Sequence, residues 1–141
     1  MIFNKTDLAT AEKIKNLSNE FNLELERTGF IPFLKISALK DRNTDEIFRM
    51  IDFILDERNK KISDKRLTGM FKNLENESAV YFKARKFKVK FIRQIRQSPP
   101  YFLVFSNMDI RNKTNITRYI ENNIRKEFGF IGTPIFFKFK F

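Results

Sequence analysis

The chain has 141 residues, of which 42% are hydrophobic and 32% are charged, and its net charge is +11. This balance is typical of a folded protein of one or two small domains rather than a disordered one. The absence of Cys and His excludes disulfides, thiolate chemistry and His-ligated zinc. No apolar run reaches the roughly 18–20 residues that a membrane span needs, so we expect a cytoplasmic protein without a membrane partner.

The excess of positive charge is confined to the second part of the chain. Residues 1–61 contain 11 Lys and Arg and 11 Asp and Glu, whereas residues 62–141 contain 17 and 6. A shift of this kind indicates two modules with different partners. We therefore predict a first domain over residues 1–58, a polar junction at residues 59–61 and a second domain over residues 62–141.

The sequence pattern of the first module predicts the order strand–helix–strand–helix. Its elements are a strand at 1–3, a helix at 9–27 that Gly29 ends, a strand at 32–36 and a helix at 43–58. Asn43 and Glu46 form a capping-box pattern at the start of the second helix. Alternating strands and helices are typical of a parallel α/β sheet.

The sequence pattern of the second module predicts the order helix–strand–strand–helix–strand. This is a small α+β fold in which helices cover one face of a sheet. Its elements are a helix from residue 63 or 64 through 74, a loop at 76–86, strands at 87–91 and 101–105, a helix at 116–128 and a strand at 135–141. Ser98-Pro99-Pro100 predicts the turn between the paired strands, because neither proline can donate to a ladder.

Alternation predicts which strand residues face the core of the second module. Three apolar residues alternate with Lys88 and Lys90, and we assign them to the core side: Phe87, Val89 and Phe91. The last strand alternates in the same way, with these residues assigned to the core: Ile135, Phe137, Phe139 and Phe141. Phe136 on the opposite side is the one candidate there for stacking on a nucleic-acid base.

Asn4-Lys5-Thr6-Asp7 matches the N-K-x-D pattern that reads a guanine base. Guanine presents two adjacent donors, and the Asp7 carboxylate could accept both. Lys5 would lie over the base plane, and Asn4 would tie the loop to neighbouring backbone. Four residues match by chance often enough that coincidence is the alternative interpretation.

Ser37-Ala38 strengthens the guanine hypothesis because it follows N-K-x-D by one helix and one strand. At that strand-to-loop point a small residue lets the backbone N–H approach the guanine oxygen. The phosphate-binding pattern G-x-x-x-x-G-K-[ST] is absent, since none of the four glycines is followed by Lys. We predict that this chain alone neither hydrolyses GTP nor binds it tightly.

A basic run over residues 83–96 contains seven cations and no acid. Its members are Lys83, Arg85, Lys86, Lys88, Lys90, Arg93 and Arg96. A positive stripe beside a sheet suits salt-dependent contacts with RNA phosphates. The alternative is a solvated strand edge that lysines protect from pairing. Because all the excess charge lies in this module, we favour polyanion binding.

Gly129-Phe130-Ile131-Gly132 spells G-x-x-G, the phosphate clamp of KH domains. In this sequence the pattern lies between a helix and the last strand, whereas the clamp joins two helices. We therefore predict a helix C-cap followed by a turn into Thr133-Pro134.

Together these stretches resemble the C-terminal part of the Der (EngA) family of bacterial GTPases, which have two tandem G domains followed by a KH-like domain. The likeness covers essentially the whole chain, and these segments carry it: N-K-T-D, Ile36-Ser37-Ala38-Leu39, Lys61-Ile62-Ser63, S-P-P-Y-F at 98–102, R-Y-I-E-N at 118–122 and E-F-G-F-I-G-T-P-I at 127–135.

The resemblance implies that residues 1–58 are the guanine-binding end of a second G domain, whose cofactor is GTP or GDP with Mg²⁺. The residues that would contact the base are Asn4, Lys5, Asp7, Ser37 and Ala38. It implies that residues 62–141 are the KH-like domain, which packs on the G domains and helps the protein engage the large ribosomal subunit or its precursor, with its rRNA, during assembly. A second interpretation is an interdomain docking module that transmits nucleotide state without binding RNA. We expect the first G domain and the phosphate-binding portion of the second to be missing.

Overall fold

A computed structural model describes residues 1–25, 30–77, 81–82, 84–110 and 114–141. The chain forms two compact units, Met1–Glu57 with Ile131–Thr133, and Arg58–Phe130 with Pro134–Phe141. In this part of the chain, none of the helices combines the length and the apolar character needed to cross a membrane.

The first unit has the expected order strand–helix–strand–helix. Its elements are β1 (Ile2–Phe3), α1 (Ala11–Leu25), β2 (Leu34–Lys35) and α2 (Glu46–Arg58), the last of which runs to the boundary of the unit. β1 and β2 pair in parallel, with Ile2 opposite Leu34. The Phe3 ring contacts the rings of Phe21 and Phe33 edge to face, at centroid distances of 5.4 and 5.8 Å. These contacts join α1 to the two-stranded sheet.

The first unit buries little apolar surface of its own. Among its described residues, Ile36 is the one buried hydrophobic side chain. Leu8, Leu39 and Phe48 are 77%, 83% and 72% exposed, which is unusual for apolar residues flanking a sheet or lying on an amphipathic helix. A surface of this kind is typical of a protein region that another protein surface covers.

The predicted capping box at the start of α2 is wrong. Asn43 has a left-handed backbone (φ 58°), and its side-chain amide donates to the Lys35 carbonyl at 3.0 Å. The helix therefore starts at Glu46, three residues after Asn43 rather than one. The predicted end of the first helix at Arg27 and its stop at Gly29 lie outside the described residues.

The second unit has the predicted helix–strand–strand–helix–strand order with one addition, a short two-stranded hairpin between the first helix and the paired strands. Its elements are α3 (Asp64–Glu77), β3 (Tyr81–Phe82), β4 (Arg85–Lys86), β5 (Val89–Arg96), β6 (Tyr101–Ser106), α4 (Thr114–Phe128) and β7 (Phe136–Lys140). β5 pairs with β6 antiparallel, and β6 pairs with β7 in parallel, which gives the sheet order β5-β6-β7. The stretch predicted as a loop at 76–86 instead contains the end of α3 and the β3–β4 hairpin.

One hydrophobic core holds the helices of the second unit on one face of its sheet. The four residues of α4 that recur at i, i+4 spacing are all buried: Ile116, Ile120, Ile124 and Phe128. They pack in the same core as Leu67 and Phe71 of α3 and Phe102 and Val104 of β6. Fully burying side chains of this size stabilises the fold by about 1.5–3 kcal/mol each. Among the described residues, the second unit therefore has a much larger buried core than the first.

Two of the predicted strand faces need correction. The register of β5 against β6 shifts between Val89 and Phe91, so that Phe91 leaves the core side and Ile92 becomes fully buried. A β-bulge adds one residue to a strand and therefore reverses the alternation beyond it. Phe141, which alternation assigned to the core, is 70% exposed and follows the last residue of β7.

The turn after α4 confirms the predicted C-cap. Gly129 adopts a left-handed backbone (φ 87°), and its N–H donates to the Arg125 carbonyl at 2.8 Å. Gly132, also left-handed (φ 74°), belongs to the first unit, where its N–H donates to the Phe30 carbonyl at 2.5 Å. In that unit the adjacent Ile131 N–H donates to the buried Glu57 carboxylate at 3.0 Å.

Alanine at Gly69 and at Gly132 should change stability in opposite directions. A Cβ at Gly132 would lie 2.6 Å from Ile54 Cγ1 and would force a left-handed alanine, so we expect Gly132→Ala to lower the free energy of unfolding by about 1–3 kcal/mol. Gly69 lies within α3 with no atom within 4 Å of the added Cβ, so Gly69→Ala should raise it by about 0.5–1 kcal/mol. Urea denaturation followed by circular dichroism measures both changes, and equal effects of the two variants would contradict this packing.

Candidate functional site

All five residues predicted to read guanine come together in the first unit. Asn4 and Lys5 follow β1, and Asp7 lies in a short 3-10 turn over Thr6–Leu8. Ser37 and Ala38 follow β2 at the neighbouring strand end. Because β1 and β2 are parallel, their carboxyl ends open at the same edge of the sheet, where open α/β sheets bind their ligands.

The Asn4 side chain holds the two loops against each other. Its Oδ1 accepts from the Ala38 N–H at 3.1 Å and from the Lys5 N–H at 2.7 Å. Thr6 adds a second link, because both its backbone N–H and its hydroxyl donate to the Ile36 carbonyl, at 3.1 and 2.8 Å. Lys5 between them has a left-handed backbone (φ 62°). The loop geometry is therefore fixed by side-chain and backbone contacts rather than by a sheet ladder.

The Asp7 carboxylate is linked to the other loop by Ser37. The Ser37 hydroxyl donates to Asp7 Oδ1 at 2.5 Å, and its oxygen accepts from the Lys40 N–H at 3.3 Å. The hydrogen bond from Ser37 is the largest cause that holds the pKa of Asp7 below its usual range, with smaller contributions from the positive charges of Lys40 and Arg42. Asp7 is therefore an anionic acceptor at neutral pH.

These contacts define how the loops could meet a guanine base. A bidentate pair with guanine uses both Asp7 oxygens, so the base would share Oδ1 with the Ser37 hydroxyl. The Ser37 N–H donates to the Arg42 carbonyl at 3.0 Å, and the Ala38 N–H donates to Asn4. A guanine oxygen would therefore have to share or replace an internal acceptor. The residues fit the base, but no glycine-rich phosphate loop accompanies them, and in the described part of the chain no three acidic side chains group into a possible Mg²⁺ site.

The basic run lies on the second unit between α3 and β6. Lys83 falls outside the described residues, whereas Arg85, Lys88 and Lys90 are exposed and Lys86 is half-buried. Arg93 and Arg96 are exposed residues of β5. The structure therefore spreads the described members of the run over β4, the connection from β4 to β5 and β5 itself.

Acids of α3 neutralise part of this run. Glu75 pairs with Lys88 at 2.7 Å and with Lys86 at 3.6 Å, and Asp64 pairs with Arg93 at 2.7 Å. The hydrogen bond from Lys88 is the largest cause that lowers the pKa of Glu75. Such pairs are worth little stability at an exposed surface, but they compete with any phosphate for the same cations. Sequence reasoning missed them, because the acids lie outside the run and meet it only in the folded unit.

The face of the sheet opposite the helices carries a second set of residues, which we call the open sheet face. Its residues form three cross-strand rows, Phe91–Phe105–Lys140, Arg93–Leu103–Lys138 and Arg96–Tyr101–Phe136. The Tyr101 and Phe136 rings stack with centroids 6.0 Å apart and planes at 19°, and Phe136 is 43% exposed. Of these aromatic residues, the sequence identified Phe136 alone as a stacking candidate, because it placed Phe91 in the core and could not show the rows that Tyr101 and Phe105 form.

A groove of about 540 Å³ runs along α3 and α4 on the other side of the second unit. Lys65, Arg66 and Lys126 lie at its rim together with Glu127. The Arg66 guanidinium lies over the Phe128 ring at 5.1 Å. The helical side of the unit is therefore also positively charged. From the sequence we knew only the net charge of the whole module, not its position.

Comparison with known protein families decides how the second unit is classified. Residues 61–140 match the family model of the KH-domain-like region of EngA bacterial GTPase enzymes, C-terminal. This chain belongs to the EngA family. Its residues 61–140 correspond to the KH-like domain of that family, in agreement with the α+β order that the structure shows.

Curated relatives extend the similarity to the first unit. The chain is 33% identical over 148 residues to GTPase Der of Fusobacterium nucleatum, which covers 99% of the chain and 33% of that protein. It is 30% identical over 144 residues to GTPase Der of Thermodesulfovibrio yellowstonii, which covers 99% and 32%. GTPase Der of Natranaerobius thermophilus is 32% identical over 114 residues, covering 80% and 26%. The chain thus spans about a third of the length of these EngA-family proteins or less.

Removing the Ser37 hydroxyl should raise the pKa of Asp7 toward its usual range. The folded pKa is depressed, so Asp7 contributes stability above the ordinary carboxylate pKa of about 4 and loses it as pH falls through the folded value. We expect Ser37→Ala to weaken this pH dependence. Carboxyl-carbon NMR titration measures the shift, and Ser18→Ala is the control, because Ser18 donates to Ile14 and does not touch Asp7. An unchanged Asp7 titration in Ser37→Ala would contradict the contact.

Proposed function

We propose that this chain acts as the C-terminal part of a Der-type GTP-binding protein in assembly of the large ribosomal subunit, and that its KH-like domain, residues 62–141, contacts ribosomal RNA. The observation that carries the proposal is that the whole net charge of +11 lies on the KH-like domain of an EngA-family chain. Positive surfaces bind RNA through its phosphates and release counterions as they do so. Ribosome assembly places this activity in the cytoplasm.

The RNA-binding residues proposed are those of the basic run: Lys83, Arg85, Lys86, Lys88, Lys90, Arg93 and Arg96. The exposure of Arg85, Lys90 and Arg96 supports this assignment, because an exposed cation is accessible to a phosphate. The pairs of Lys88 with Glu75 and of Arg93 with Asp64 reduce the charge available within the run. RNA would have to replace these carboxylates, at a small cost for exposed pairs.

For residues 1–58, which supply most of the first unit, we propose the guanine-binding end of a G domain, with Asn4, Lys5, Asp7, Ser37 and Ala38 on the base. The linked loops at the carboxyl ends of β1 and β2 support this placement. The exposed apolar residues of the unit support a partner surface, and we propose that the remaining G-domain segments of the same protein supply it. GTP or GDP with Mg²⁺ would then bind to the assembled domain. This chain alone has no phosphate loop, so we expect no GTP hydrolysis by it.

The second candidate function is interdomain docking, in which the KH-like domain transmits nucleotide state without binding RNA. The ion pairs that α3 makes with the basic run favour it, because they give several of the cations an internal partner. Docking and RNA binding differ in their dependence on salt and on charge, which the following experiments measure.

Charge reversal in the basic run should weaken binding to ribosomal particles. For the 141-residue chain with Lys88→Glu, Lys90→Glu and Arg93→Glu, we expect much weaker binding to purified large ribosomal subunits and a log–log salt slope smaller by about 2–3. The control is Lys13→Glu with Lys15→Glu, two exposed residues of α1 in the first unit. Sedimentation at several salt concentrations measures the slope. Equal binding by both variants, or wild-type binding that ignores salt, would favour the docking function.

Removing the Glu75 carboxylate should strengthen RNA binding. Glu75→Gln removes the carboxylate charge that pairs with Lys86 and Lys88, so we expect a several-fold higher affinity for a large-subunit rRNA transcript and a steeper salt dependence. Filter binding at fixed salt measures the affinity. Glu12→Gln, which alters an exposed acid of α1 in the first unit, is the matched control. A Glu75→Gln variant that binds like the control would show that the ion pair does not compete with RNA.

A further inference from the structure

We propose that the open sheet face of the KH-like domain is a stacking platform for unpaired bases of single-stranded RNA. This inference rests on the proposed function and names the part of the RNA that the domain would take. The face carries half-exposed rings and cations together, whereas the opposite face of the same sheet is packed against the core.

The rings are arranged as two aromatic pairs at opposite ends of the face. Tyr101 and Phe136 lie side by side on β6 and β7 and stack at 19°. Phe91 and Phe105 lie opposite each other on β5 and β6, with centroids 6.1 Å apart and planes at 49°. Tyr101 and Phe105 are four residues apart on one strand, so the two pairs are separated by roughly 14 Å. Each pair offers a separate flat surface for a base, because every base has a π-face.

The cations on the same face lie where a phosphate chain would pass the rings. The Arg96 guanidinium lies 5.4 Å from the centre of the Tyr101 ring, and the Lys140 ammonium lies 5.8 Å from that of Phe105. Arg93 and Lys138 form the middle row with Leu103. The strands β5, β6 and β7 contain no Asp or Glu. This positive charge complements a polyanion. It disfavours a protein surface without acidic residues as the occupant.

Stacking aromatics beside cations select unpaired bases over duplexes. A base that is paired and stacked within a helix cannot lie flat on Tyr101 or Phe136, whereas an unpaired base can. Apart from Arg93 and Arg96, the described cations of the basic run and those lining the α3–α4 groove lie away from these paired rings, so they suit phosphates of any RNA. The open sheet face therefore adds a preference for single strands to the charge-driven binding of the domain.

The test compares a ten-nucleotide oligouridylate with a blunt RNA duplex of the same length, using the 141-residue chain. We expect Tyr101→Leu and Phe136→Leu each to weaken binding of the single strand by about 5- to 100-fold, since stacking is lost while an apolar side chain remains. Duplex affinity should change less than twofold. The control is Phe48→Leu, which removes an exposed ring of the first unit that lies outside the open sheet face. Circular dichroism melting confirms that each variant is folded.

NMR provides a readout that is independent of affinity. Upfield shifts of the Tyr101 and Phe136 ring signals on addition of oligouridylate are expected from base stacking. Single-strand binding that is unchanged in both folded variants would overturn the inference. So would a concentration-dependent dimer that Phe136→Leu disrupts, because the occupant would then be a second copy of the chain. If salt-dependent binding to large subunits persists while the rings have no effect, this inference fails and the proposed function stands.

Discussion

The second unit depends on one constraint: its three-stranded sheet has helices on one face only. Ile120 and Ile124 of α4 and Leu67 of α3 seal that face together with Val104 and Phe102. Side chains alternate along a strand, so the residues on either side of each core residue of β6 lie on the opposite face of the sheet. Those neighbours are Tyr101, Leu103 and Phe105, two rings with a leucine between them, and Arg and Lys side chains of β5 and β7 flank them. The basic and aromatic character of the open sheet face therefore follows from the way the core is closed.

The acidic residues of α3 affect the surface charge of this unit as much as the cations of the strands do. Asp64 in the first turn of α3 and Glu75 near its end each take a cation from the basic run. A carboxylate near a helix N-terminus also interacts favourably with the helix dipole, so Asp64 has a structural reason to be there. The ion pairs at the two ends of α3 involve Lys88 and Arg93. Lys90, between these two residues in the sequence, and Arg96, after them, are exposed, so positive charge is less evenly distributed than the sequence count suggests.

Local periodicity made much of this fold predictable. The i, i+4 spacing of α4, the Ser98-Pro99-Pro100 turn and the Gly129 cap depend on neighbouring residues, and the sequence located all three. The β5 register could not be read in this way, because the bulge beside Val89 depends on how β6 pairs with it. Asn43 followed by Glu46 matched a capping pattern, but the Asn43 amide instead bonds the carbonyl of Lys35 at the end of β2. The rows of the open sheet face likewise required the strand register.

The two units differ in how many of their polar groups are bonded and how many of their apolar groups are buried within the unit. This difference bears on which unit binds a ligand at lower cost. In the first unit the polar groups of the two loops are internally bonded, while several apolar side chains are exposed. Asn4 Oδ1 accepts from the Ala38 N–H, and the Ser37 hydroxyl donates to one Asp7 oxygen. A base would have to displace these bonds with no phosphate contacts to compensate. In the second unit the apolar core is closed, and the remaining surface consists of cations and rings at fixed positions. A ligand there needs to displace only exposed ion pairs, so the physical cost of binding is lower in the second unit than at the loops of the first.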